Sequence, residues 1–197
     1  MNKQTGILVM VLVSLLVACS DRQATTETKV NETADTVISK EESMLVSEAE
    51  AEARRLAELQ AEKARVAAEV ADLGEAYLHI NSQKPGVKVM ESGLQFEILE
   101  QGDGRSPGSA SRVVTHYTGT FTNGDVFDSS YERGKPAEFP VNRVIPGWTE
   151  ALQMMKEGDI WRLVIPSDLG YGSRGAGDSI PPNSVLIFEV ELIEVKN

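Results

Sequence analysis

Between Met44 and Ile80 apolar residues return at helical spacing in a background of Ala, Glu, Arg and Lys, with no proline and only Gly74 as a weak point. This pattern predicts one long helix. Leu56, Val70 and Tyr77 fall on one heptad row, and Leu45, Leu59, Val66, Leu73 and Ile80 on the neighbouring row. Ala49, Glu52 and Lys63 interrupt these rows. The pattern therefore fits both a dimerising helix pair and a single amphipathic stalk that packs on its own domain or stays solvated. Asn81-Ser82-Gln83-Lys84-Pro85-Gly86 has the polar residues, proline and glycine of a helix end. Beyond Val87 the period changes to that of strands. The Asn123-Gly124 turn leads into Asp125 to Asp128, and Gly93 to Glu100, Arg112 to Phe121, Ile160 to Ile165 and Val185 to Val195 are the expected strands. In the last of these, Leu186, Phe188, Val190 and Leu192 share one face and Glu189 and Glu191 the other. One short helix is expected from Gly147 to Met155, with Trp148, Leu152 and Met155 on a single face. The fold class is α+β: an antiparallel sheet with one short helix packed across it, preceded by the long helix.

The N-terminal stretch is a different object. Lys3 is followed by an apolar run from Gly6 to Ala18, broken only by Ser14. That reads as a secretory signal, too short for a stable membrane span. Its end, Leu16-Val17-Ala18-Cys19, resembles the bacterial lipobox, which implies that Cys19 is acylated and becomes the first residue of a membrane-anchored protein; an ordinary cleaved signal is the alternative. Ser20 in place of Asp implies, by likeness to enterobacterial lipoproteins, sorting to the outer membrane, with its periplasmic or surface face left open. From Ser20 to about Ser43 the chain is rich in Thr, Glu, Asp, Lys and Asn, and a flexible tether is expected. The organisation is thus a signal (1–18), a lipidated tether (19–43), a helical stalk (44–85) and a globular domain (86–197). Cys19 is the sole cysteine, so the domain has no internal disulfide and depends on packing.

The formal charge of −11 is shared between the stalk and the domain, with no cluster of Lys and Arg. Nucleic acid is therefore excluded as a partner. No metal or cofactor is expected: His79 and His116 stand apart, and no carboxylate cluster has ligand spacing. His116, on a strand, reads as structural. The two Gly-x-Gly strings, at Gly102 and Gly170, lack the strand–glycine–helix context of a phosphate cradle and read as turns. No nucleophile and base pair is present. What the domain does carry is aromatic side chains where strands end: Tyr117, Phe127, Phe139, Trp148, Tyr171 and Phe188. Any one of them taken alone reads as core.

Taken together, five separated strings resemble the signature of the FKBP family of peptidyl-prolyl cis-trans isomerases. They are Val113-Val114-Thr115-His116-Tyr117-Thr118-Gly119; Phe127-Asp128-Ser129-Ser130; Val144-Ile145-Pro146-Gly147-Trp148; Leu169-Gly170-Tyr171-Gly172; and Ile180-Pro181-Pro182-Asn183-Ser184 with Phe188-Glu189-Val190-Glu191-Leu192. The likeness runs from about Gly93 to Val195. The signal and upstream helix are similar to the macrophage infectivity potentiator and periplasmic FKBP chaperone group, whose members pair through their N-terminal helices. The resemblance implies a five- or six-stranded antiparallel sheet curled around one short helix, with a shallow apolar pocket between them. It implies Trp148 as the floor and Phe127, Phe139, Val144, Ile145 and Ile180 as substrate-binding walls. Asp128, Tyr171, Phe188 and Tyr117 are the implied catalytic residues, and Arg133 the partner of Asp128. Ala137, Ala176 and Ser179 depart from the family pattern, implying a more open rim. The implied function is isomerisation of prolyl bonds in exported, unfolded polypeptides at the bacterial cell envelope; an FKBP-fold chaperone or peptide-binding lipoprotein with little turnover is the alternative. A homodimer through the 44–80 helix is the implied assembly.

Overall fold

The computed structural model describes residues 28–196, with side chains for Lys40 and from Ser43 onward. The expected signal and Cys19 lie outside the described residues. The chain divides into two compact units, one ending at Arg54 and one spanning Arg55–Asn197. Backbone helix α1 runs over Thr28–Ser82. Residues 28–43, expected as tether, are therefore helical. Their composition is polar but contains no proline or glycine, so nothing in it stops a helix that continues from the Ala- and Glu-rich segment.

The sheet is antiparallel throughout. Its strands are β1 Lys88–Val89, β2 Gln95–Glu100, β3 Arg112–Thr120, β4 Val126–Ser129, β5 Ala137–Pro140, β6 Ile160–Ile165 and β7 Leu186–Lys196. They are ordered β1-β2-β6-β7-β3-β4, with β5 pairing the first half of β3. β2, β3, β6 and β7 are the expected strands and β4 follows the expected turn; β1, of two residues, and β5, of four, are edge strands too short to leave a periodic signal. Helix α2, Pro146–Met154, starts on a proline at its first turn and buries Trp148, Ala151 and Leu152 against the sheet.

Alternation explains which face is covered. Along β3, Val113, Thr115, Tyr117 and Gly119 point inward, and along β7 Leu186, Phe188, Val190 and Leu192 do the same. A bulge between Val114 and Thr115 sets Ile193 out of register, which shifts the inward face of β7 by one residue and brings Val195 into the core. Gly119 must be glycine. A Cβ there would lie 2.6 Å from the Phe127 ring and 2.8 Å from that of Phe188, so its absence is what lets these two rings meet beside the strand.

Edge strand β5 is tied to β3 and β7 through one carboxylate. Glu138 accepts a hydrogen bond from Lys196 Nζ at 2.9 Å and one from Arg112 Nε at 2.6 Å. These two cations pull the Glu138 carboxyl down to about 2 from 4.5. A folded-state value below the unfolded one stabilises the fold above pH 4.5, and this contribution is lost as the pH falls toward 2. The Tm advantage of the native chain over Glu138→Gln, measured by calorimetry, should accordingly shrink as pH falls through that window; an advantage independent of pH would contradict the pairing.

Candidate active site

The concave face between α2 and strands β3, β4, β5 and β7 encloses a cavity of about 390 Å³ lined by Tyr117, Phe127, Asp128, Phe139, Arg143, Val144, Ile145, Trp148, Tyr171 and Phe188. The walls arrive from several elements. Inward alternation on β3 supplies Tyr117, and β7 supplies Phe188. Gly119 pairs with Phe188 on one side and Asp128 on the other, so β3 sets the spacing between ring and carboxylate. Ile145 is extended at φ −60° and ψ 150°, immediately before the α2 proline, and this turn carries Val144 and Ile145 to the cavity mouth.

Trp148 is 4% exposed and forms the floor. Three rings meet it edge to face: Tyr117 at 5.2 Å and 88°, Phe188 at 5.3 Å and 84°, and Phe139 at 5.8 Å and 80°. Phe127 meets Phe188 in the same way at 5.5 Å. Each such pair contributes about 0.5–1.5 kcal/mol beyond its buried area, and together they fix ring orientation.

The polar side of the cavity is a closed set of three groups. Tyr117 donates its hydroxyl hydrogen to Asp128 Oδ2 at 2.5 Å; Arg133 donates to the Tyr117 hydroxyl oxygen at 2.7 Å and pairs with Asp128 Oδ1. The Arg133 guanidinium also lies over the Tyr117 ring, 5.4 Å from its centre. Asp128 and Arg133 are each about 40% exposed, so the ion pair adds little stability. Its effect is to aim one carboxylate at an otherwise apolar wall. Burial raises the Tyr117 hydroxyl above its ordinary pKa, and the bond to Asp128 adds to that, against the opposing pull of Arg133. The phenol is therefore a neutral donor throughout the physiological range.

Of the expected site residues, ten fall in or against the cavity: Tyr117, Phe127, Asp128, Phe139, Val144, Ile145, Trp148, Tyr171 and Phe188 line it, and Arg133 reaches it through Asp128 and Tyr117. Tyr171 stands at the rim, 41% exposed. Ile180 is different. It is buried in the core and lies outside the lining, because its backbone pairs with Ala176 in a closed loop that draws the side chain inward. Arg143 was not anticipated; it ends the turn before Val144, and a lone surface-type arginine there gives no periodic or motif signal. His116 alternates away from the cavity, where its ring stacks on Tyr131 and its Nδ1 lies 2.9 Å from Ser130 Oγ. Ala137, Ala176 and Ser179 contribute no side chain to the lining.

Comparison with known proteins decides the lineage. A family model described as FKBP-type peptidyl-prolyl cis-trans isomerase matches residues 103–193, and one described as the domain amino terminal to it matches residues 18–98. The crystal structure of FkpA from Escherichia coli aligns with a TM-score of 0.71 and 36% identity, covering 89% of this chain and 75% of that one. The chain belongs to the FKBP family. A 22 kDa FKBP-type peptidyl-prolyl cis-trans isomerase of Escherichia coli is 58% identical over 122 residues, covering 62% of this chain and 59% of the relative. The outer membrane protein MIP of Legionella longbeachae is 51% identical over 123 residues, covering 62% and 53%. This FKBP chain thus spans little more than half the length of these curated relatives. The long helix ahead of a sheet with one short helix is the arrangement it shares with FkpA.

The buried Tyr117 hydroxyl should be visible directly. Its phenolate should form above pH 10, so absorbance titration of the native chain against Tyr117→Phe should show the missing phenol in the late part of the curve. Its loss from the early part would contradict the buried hydrogen bond. Because the unfolded chain releases that proton first, this tyrosine favours the fold below pH 10 and its contribution fades as the pH climbs.

Proposed function

We propose that this FKBP-family chain catalyses cis–trans isomerisation of Xaa-Pro bonds in polypeptides at the bacterial cell envelope. The observation that carries the reading is a cavity floored by Trp148 and walled by five further aromatic rings, with Asp128 held against it by Tyr117 and Arg133. Rotation about an Xaa-Pro bond meets a barrier of about 18–20 kcal/mol, because twisting destroys amide resonance, and takes tens to hundreds of seconds unaided. No bond breaks. A nucleophile or metal is unnecessary, whereas an environment that favours the twisted amide over the planar one is required.

The planar amide is the charge-separated, water-stabilised form. Desolvation by Trp148, Phe139, Phe127 and Phe188 therefore raises its energy more than that of the twisted form. Asp128 supplies a fixed negative field beside the rotating carbonyl, in a site where such fields are screened less than in water. The Tyr171 hydroxyl at the rim and the backbone N–H of Ile145 anchor the peptide on either side of the proline. Each group lowers the barrier in part, so single substitutions should reduce activity without abolishing it.

The test is the cis-to-trans rate of a short Leu-Pro or Phe-Pro peptide. The full chain should accelerate it strongly. Asp128→Ala should keep the fold and lose about tenfold in kcat/KM, a fraction of the barrier equal to one charge-assisted contact. Phe188→Ala should lose more, at a cost of about 3–5 kcal/mol in stability. A folded native chain that binds Xaa-Pro peptides without accelerating them would contradict catalysis and favour the peptide-binding lipoprotein.

Two further assignments belong to this reading. Among the described residues no helix is long and apolar enough to cross a membrane, and Cys19 in Leu16-Val17-Ala18-Cys19 is the proposed lipid anchor, placing the domain at the outer membrane. Fractionation should find the native chain with membranes and Cys19→Ala in the soluble fraction; equal partition would rule the anchor out. The row Leu45, Leu59, Val66, Leu73 and Ile80 is exposed over its whole length, which supports pairing of two chains through α1.

A further inference from the structure

The last turns of α1 lie against the sheet domain along a face that takes Val70 and Tyr77 from one apolar row and leaves the other row exposed. Ala67, Val70, Ala71, Gly74, Tyr77, Leu78 and Asn81 are covered, whereas Val66, Leu73 and Ile80 are exposed. These covered positions are three or four apart, as one helical face requires. The closest approach is at Gly74: a Cβ there would stand 2.7 Å from Val185 Cγ2. Seven residues on, Asn81 donates its side-chain amide to Gln95 Oε1 at 2.9 Å, and Gln95 returns a bond to the Leu78 carbonyl at 2.9 Å, with both amides buried. At the other end of this face Asn183 donates from its side chain to the Ala67 carbonyl at 3.3 Å.

Asn183 and Val185, the residues touched by the helix, bracket the end of the loop that leads into β7. Asn183 adopts φ +62°, a left-handed conformation that asparagine tolerates better than most side chains. In that conformation its backbone N–H reaches the Gly172 carbonyl at 2.9 Å. Gly172 follows Tyr171, the cavity rim, and Val185 leads by three residues to Phe188, a cavity wall. One helical face therefore touches the end of the loop that leads to Phe188, and the Asn183 N–H bond to the Gly172 carbonyl ties the other end, next to Tyr171, to it.

We infer that residues 67–81 of α1 are part of the site: they brace the 172–185 loop, and Gly74 and Asn183 are positioning residues that set Tyr171 for substrate binding. The inference rests on the cavity being the substrate site only in its kinetic consequence. Its structural content stands separately.

Gly74→Ala separates the brace from a passive stalk by sign. In a helix that merely carries the domain, alanine in place of glycine strengthens the helix. In a braced helix the added methyl meets Val185 and lifts the face from the loop. Hydrogen exchange on the full chain should show Gly74→Ala losing about tenfold in protection across residues 171–184, with β3 and β6 unchanged. Peptide KM should rise several-fold with kcat little altered, since Tyr171 is an anchor. Val185→Ala added to Gly74→Ala should restore both, because it removes the atom in the way, and Asn183→Gly should reproduce the loss, because it keeps the backbone conformation and deletes the side-chain bond. Protection unchanged in the 171–184 segment, or lost across the whole domain, overturns the brace. If the native chain shows no isomerase activity, the reading of the cavity fails and the exchange result still decides the brace.

Discussion

Trp148 meets the edges and faces of three rings that come from β3, β5 and β7, and each of those rings depends on something outside itself. Tyr117 points inward only because the alternation of β3 is intact from Val113 to Gly119. Phe188 has room only because Gly119 has no side chain, and Phe139 is presented by a four-residue edge strand that Glu138 ties to Arg112 on β3 and Lys196 on β7. The packing of one indole thus ties the strand order, a glycine and a surface ion cluster to the shape of the cavity. Interiors at crystal-like density transmit such constraints, since a ring cannot shift without its neighbours.

A site made this way has a functional logic suited to the reaction. Isomerisation needs no proton shuttle, so the polar set of Asp128, Tyr117 and Arg133 can spend its hydrogen bonds on one another and still present a directed charge. Its partial exposure is tolerable because its stabilising contribution to the fold is small. In the proposed reaction the apolar walls are the source of desolvation, and Tyr171 stands at the exposed rim.

Much of this was legible along the chain because strands announce themselves by period. The two-residue alternation of β3 and β7, the Asn123-Gly124 turn and the single apolar face of α2 all appear where the pattern puts them. What was not legible lacks an apolar signal. The polar stretch from Thr28 to Ser43 has the composition of a tether, yet it is helical, since composition without a breaker does not distinguish the two. The docked face of α1 centres on Gly74 and small alanines rather than on the leucine row, because close approach selects for absence of side chain. Arg143 and the inward turn of Ile180 follow from loop geometry, which no periodicity records.

In the proposed reaction, prolyl bonds rotate while lying on Trp148. Exchange NMR on a Leu-Pro peptide with the full chain addresses it most directly, reading cis–trans interconversion and contacts to the protein in one sample. Exchange cross-peaks between the two isomers should appear only with the protein, together with contacts from the proline ring to the Trp148 indole and the Phe188 ring. Faster exchange with proline contacts elsewhere, or contacts to Trp148 with no exchange, would contradict it.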